Sequence, residues 1–75
     1  MVDPLSPTPL YVQLADVIAK QIEEGKLESR RPIPSESSLR QEYGVSRGTV
    51  RQAVALLRER GLVVTVPQRG TYVAW

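Results

Sequence analysis

The sequence predicts a mainly α fold with a small β-hairpin: three helices followed by two short strands. Three observations carry that reading. Apolar residues recur at helical spacing in successive windows, each opened by a capping residue or closed by a glycine. The β-branched run Leu62-Val63-Val64-Thr65-Val66 follows the last window, and Pro67 to Gly70 supplies turn residues before Thr71-Tyr72-Val73-Ala74-Trp75 can return. The chain has 75 residues, 41% of them hydrophobic, which gives one small domain with enough apolar material for a core.

Each element follows from local chemistry. Asp3 to Pro9 is proline-rich and reads as an extended N-terminal arm over residues 1–8, with the folded domain spanning 9–75. Thr8 is a candidate cap, and Pro9 suits a first helical position, where a missing N–H costs nothing. Tyr11, Leu14, Ala15, Ile18 and Ile22 then form one apolar stripe, so the first helix is expected over Pro9 to Glu24 and Gly25 stops it. Glu28 to Pro34 carries two prolines and reads as a loop, with at most a short strand near Pro32-Ile33. Ser35 caps a short second helix, Glu36 complements its dipole, Leu39 and Tyr43 mark its buried side, and Gly44 ends it. Ser46 caps the third helix, which runs to about Arg60 before Gly61, with Val50, Ala53, Val54 and Leu57 facing the core. Trp75, at a strand end, is expected to pack on the core near the first helix, with a dimer contact as the alternative.

Composition removes most chemistries. The chain has neither cysteine nor histidine, so thiolate and imidazole metal sites, disulfides, cysteine nucleophiles and the commonest general base are absent. No enzyme activity, metal or cofactor is expected. Leu56-Leu57 and Leu62 to Val66 are separated by charged residues and fall far short of the roughly 20 apolar residues of a membrane span. Met1-Val2-Asp3-Pro4 opens no secretory signal, which makes a soluble cytoplasmic protein the expectation.

Charge is distributed unevenly although the net value is only +2. Residues 1–39 set Lys20, Lys26, Arg30 and Arg31 against six carboxylates, a net −2, whereas residues 40–75 set six arginines against Glu42 and Glu59, a net +4. The basic half uses arginine alone. A planar guanidinium pairs bidentately with phosphates and base edges, so this half suggests an anionic partner. At about 100° per residue, Arg47, Arg51 and Arg58 share one side of the third helix, opposite its core face.

Two helices joined by Gly44-Val45, the second bearing arginines in its first two turns, make a helix-turn-helix. In that motif the second helix enters the major groove of double-stranded DNA, where Arg47 and Arg51 match guanine edges or flanking phosphates. Gly48 lets the backbone approach closely. Ser46 and Thr49, with the first-turn N–H groups, can hold a phosphate. The following hairpin is then a wing, with Arg69 and Gly70 at its tip for the backbone or the minor groove. The whole is a winged helix-turn-helix: three helices plus a two-stranded wing. Arg58 and Arg60 lie too far along the helix and read as surface charges or salt-bridge partners near Glu59. This assignment requires the Arg47 and Arg51 guanidiniums to face outward, free of carboxylates from the same molecule. The alternative is a winged-helix module for protein contact, which predicts an apolar patch on the third helix in place of arginines.

The order Pro34-Ser35-Glu36, Leu39, Gly44-Val45-Ser46-Arg47, Thr49-Val50-Arg51, Ala53, Leu57, Gly61-Leu62-Val63 and Gly70-Thr71-Tyr72-Val73 resembles the DNA-binding domain of GntR-family bacterial transcription regulators. Pro9-Leu10-Tyr11, with Gln13 and Leu14 behind it, looks like the HutC-type branch. The resemblance implies a regulator, usually a repressor, that binds a short pseudo-palindromic operator as a homodimer. It also implies that Arg47 and Arg51 read bases, while Thr49 and Gly70 touch the backbone. Three positions depart from the pattern. Ser37 stands where a DNA-contacting arginine is frequent, Gly48 where threonine is, and Pro32 where an arginine is. Arg40, one turn beyond Ser37, is a candidate substitute, and Ser35 joins the candidate DNA-binding set. Family members usually continue into a ligand-binding and dimerising domain, so a small-molecule effector is expected only with such a domain.

Overall fold

The computed structural model describes residues 2–74 and orders them as α1 (Leu10–Glu23), α2 (Glu36–Tyr43), α3 (Arg47–Glu59), β1 (Val63–Val66) and β2 (Gly70–Val73). Serine starts two of the helices as expected. Ser35 Oγ accepts the Ser38 N–H and Ser46 Oγ accepts the Thr49 N–H, each at 3.1 Å. Between them Gly44 takes a left-handed conformation, φ 63 and ψ 38, and its N–H donates to the Arg40 carbonyl at 2.9 Å. Glycine adopts that conformation without the crowding a Cβ brings, so the chain turns from α2 into α3 in three residues, Gly44 to Ser46.

The start of α1 differs from the sequence expectation. Pro9 is the N-cap, not the first helical residue, and no side chain caps the helix, so Thr8 does not serve there. The Thr8 carbonyl instead accepts from Gln13 Nε2 at 2.7 Å. Gln13 also folds the arm back: Nε2 donates to the Asp3 carbonyl, and Oε1 accepts the Asp3 N–H. Within the arm the Ser6 N–H donates to the Asp3 carbonyl at 3.1 Å, and the Asp3 carboxylate accepts the Leu5 N–H at 2.9 Å. Residues 2–8 are therefore a turn held against α1 and not the extended arm expected. An Asx-type turn with a glutamine clasp satisfies backbone groups that an extended strand would leave to water.

The strands pair antiparallel, Val63 opposite Val73 and Val66 opposite Gly70. The short strand anticipated near Pro32-Ile33 is a single bridge, Pro32 opposite Tyr72, on the other edge of β2. The Ile33 N–H donates to Thr71 and the Val73 N–H to Arg31, both at 2.9 Å, which draws Ile33 into the core. That core combines Leu14, Ala15 and Ile18 of α1 with Leu39, Val45, Val50, Ala53, Leu57, Val63 and Val73. Tyr11, Ile22, Tyr43 and Val54 are only partly buried against it. Gln21 Nε2 donates to the Tyr43 hydroxyl at 3.3 Å and ties α1 to α2. Burial, and then hydrogen bonding to Glu42, raise the Tyr43 hydroxyl above its ordinary value, so it stays protonated in neutral solution. Trp75 lies outside the described residues.

Two arginines brace the elements, with partners other than the Glu59 surroundings expected. Arg58 Nη1 donates to Thr65 Oγ1 at 2.8 Å, and the Thr65 and Thr71 hydroxyls share a hydrogen bond at 3.1 Å. Arg60 Nη1 meets Asp16 Oδ1 at 2.9 Å, joining the end of α3 to α1. Glu59 sits beside both in sequence, but neighbours in sequence point about 100° apart on a helix, so groups on adjoining elements are better placed.

Candidate nucleic-acid interface

The core face of α3 fixes what its other face presents. With Val50, Ala53 and Leu57 buried, Arg47, Gly48, Arg51 and Gln52 are left exposed along the first two turns. Ser46 is exposed and Thr49 half-buried beside them. The Ser46 hydroxyl is occupied, since it caps the helix and donates to Thr49 Oγ1 at 3.0 Å. Thr49 accepts that bond and keeps its own hydroxyl proton, so of the two it is Thr49 that can donate to an anion. Ser35 repeats the pattern: it caps α2 and donates to Ser38 Oγ at 3.0 Å.

Arg47 and Arg51 face outward, with side chains 61% and 67% exposed. They are not free of carboxylates. Arg51 Nε donates to Glu36 Oε1 at 2.9 Å, and Arg47 Nε lies 3.5 Å from Glu36 Oε2. The requirement for unpaired guanidiniums is thus met in orientation and not in pairing. Magnitudes decide what this means. An exposed ion pair is worth about 0–1 kcal/mol, whereas a bidentate guanidinium contact to a base is worth about 1–3 kcal/mol. An ion pair of that worth is weak enough for a base contact to displace. In this structure one carboxylate offsets the repulsion between two cations a single turn apart and holds both Nε edges in place.

Glu36 is the site residue that sequence reasoning passed over, having been read only as a dipole partner in the first turn of α2. Its reach to α3 depends on how the two helices cross. The remaining candidates divide. Arg69 and Gly70 line a cleft of about 640 Å³ together with Arg51, Glu36, Ser35 and Arg58, so the hairpin tip and the arginine face open onto one surface. Arg40 lies elsewhere on α2, beside Ser37, Gln41 and Val45, and among the described residues no hydrogen bond or ion pair joins its side chain to the other candidates. Among the described residues the exposed large hydrophobics are Leu5, Val64 and Val66, none of them on α3. The apolar patch that a protein-contact helix needs is missing from that face.

Comparison with known proteins follows this geometry. The family model for "Bacterial regulatory proteins, gntR family" matches residues 10–73. The chain is 41% identical over 69 residues to the HTH-type transcriptional repressor NagR of Bacillus subtilis, covering 92% of this chain and 28% of that protein. It is 48% identical over 65 residues to the mannosyl-D-glycerate transport/metabolism system repressor MngR of Escherichia coli, covering 87% and 27%. The chain thus spans under a third of the length of these relatives. The crystal structure of the AraR DNA-binding domain in complex with operator ORX1 superposes with a TM-score of 0.88 at 39% identity, covering 99% of this chain and 92% of that one.

Proposed function

Because this chain belongs to the GntR family of bacterial regulatory proteins, we propose that it binds double-stranded DNA sequence-specifically and represses transcription. In this reading α3 lies in the major groove, with Arg47 and Arg51 on base edges and Thr49 on a phosphate. The hairpin tip, Arg69 and Gly70, follows the backbone or the adjacent minor groove. The observation that carries the reading is the outward arginine pair, held ready by Glu36 on a helix whose opposite face buries Val50, Ala53 and Leu57. Support comes from the repressors NagR and MngR and from the AraR domain solved on its operator.

One such module covers too little DNA for tight binding, so two copies on a pseudo-palindromic operator complete the proposal. Among the described residues no helix is long and apolar enough to cross a membrane, which is consistent with a cytoplasmic regulator. No catalytic step or cofactor is assigned, and an effector belongs to whatever further domain the full-length relatives carry. Selection from a randomised duplex pool, followed by titration of the recovered sequence, tests the whole. Recovery of no preferred sequence overturns it.

Two variants separate the parts. Arg69→Gln is expected to weaken binding to every duplex alike and to lower the slope of log affinity against log salt by about 1, as loss of one phosphate contact does. Titration at two or more salt concentrations measures this, and a loss confined to one sequence reassigns Arg69 to base reading. Gly48 offers a different contrast. A Cβ there meets only Ser46 Oγ at 3.9 Å, so the fold itself does not need glycine. Gly48→Ala is expected to stabilise the free domain by up to about 0.5–1 kcal/mol yet weaken duplex binding, because close backbone approach is lost. Denaturant melts and titrations on the same preparation check both halves, and retained affinity removes the close approach.

A further inference from the structure

We infer that Gln68, at the crown of the hairpin, is a specificity-determining residue that reads minor-groove base edges beside the bases contacted by α3. The inference rests on the DNA-binding reading above. The hairpin reverses at Val66-Pro67-Gln68-Arg69, closed by the Arg69 N–H donating to the Val66 carbonyl at 3.0 Å. Proline in the second position followed by a positive φ in the third is the type II arrangement, where glycine is the ordinary occupant. Gln68 holds that third position at φ 66. A side chain in this region crowds its own backbone, and glycine would relieve it.

A comparison within the molecule sharpens the point. Arg30, at φ 62, is the other described non-glycine residue with a positive φ, and there the fold uses the conformation. Its N–H donates to the Val73 carbonyl at 3.2 Å and keeps the preceding loop on the edge of β2. Gln68 is exposed, and among the described residues no hydrogen bond engages its side chain. Strain retained for a side chain that serves nothing inside the molecule points to a partner outside it.

The chemistry of the carboxamide says which partner. The minor groove presents acceptors on every base pair and adds one donor, the guanine amino group, at G·C pairs. A carboxamide can donate to the first and accept from the second, and it carries no charge. Arg69 beside it supplies attraction that is salt-dependent and blind to sequence; Gln68 supplies selection that is neither. The two roles are separable because the residues differ in charge while sharing one turn.

Gln68→Gly distinguishes them, studied beside the wild-type protein by thermal melts and by titration with the selected duplex and a randomised one at two salt concentrations. The variant is expected to melt about 4 °C higher or more, since glycine relieves the left-handed residue and a domain of this size answers such relief with a shift of about 4–8 °C. It is expected to bind the selected duplex roughly 5- to 10-fold more weakly, with the loss confined to base pairs flanking the α3 contacts. Binding to the randomised duplex and the salt slope stay unchanged. Unchanged affinity and base preference, an equal loss on both duplexes, or no gain in melting temperature each overturns the inference. Failure of the parent reading looks different: wild-type protein then prefers no sequence, and Arg47→Ala changes nothing.

Discussion

Arg51→Ala is expected to bind the selected duplex about 1–3 kcal/mol more weakly, roughly 5- to 150-fold, and to lose its preference at one base position. The effect has two sources. The guanidinium contact to a base edge disappears, and Glu36 is left with only Arg47, whose Nε is the more distant at 3.5 Å. A carboxylate relieved of its closer cation then faces the phosphates less well neutralised. Arg47→Ala should lose a similar amount at a different base position, with Glu36 still held by Arg51 at 2.9 Å. Titration against single-base variants of the operator at two salt concentrations reads both. Affinity unchanged for Arg47→Ala and Arg51→Ala at both salts would falsify the recognition-helix assignment. A loss uniform over all sequences would move the contact from base to phosphate.

Leu57→Ala is expected to cost about 2–5 kcal/mol of stability. Leu57 is fully buried in the core that α1, α2, α3 and the hairpin build together. A domain of this size has a total stability of only about 4–11 kcal/mol, so the loss removes a large fraction of it and can unfold the variant at 37 °C. Denaturant titration should show a lower midpoint with an unchanged slope. A cost below 1 kcal/mol would mean that the site collapses around the smaller side chain and that the core is less tightly packed than its burial indicates.

The parts of the fold legible in the sequence are those written in local chemistry. Ser35 and Ser46 start their helices, Gly44 reverses the chain between them, and the Val50, Ala53 and Leu57 spacing sets which way α3 faces. Outward orientation of Arg47 and Arg51 follows directly, because a helix with one face buried has only one other to present. What the sequence did not disclose depends on how elements meet. Glu36 reaches both arginines only because the first turn of α2 lies against the first two turns of α3, and no spacing along the chain encodes that packing. The partners of Arg58 and Arg60, Thr65 and Asp16, lie on other elements for the same reason. The N-terminal arm misled through its prolines: they forbid a helix, but an Asx turn and Gln13 decide what replaces it. Gln68 was hidden because positive φ announces itself in sequence only when glycine or asparagine occupies the position.

The Arg58 link from α3 to the paired hydroxyls of Thr65 and Thr71 joins the two parts that would grip a duplex. On the proposed DNA-binding reading, that link would hold helix and hairpin at a set spacing, like the jaws of a caliper. Such a tool would gauge the distance from one groove to the next, and a duplex with B-form pitch would fit both jaws while one wound differently would satisfy only one of them.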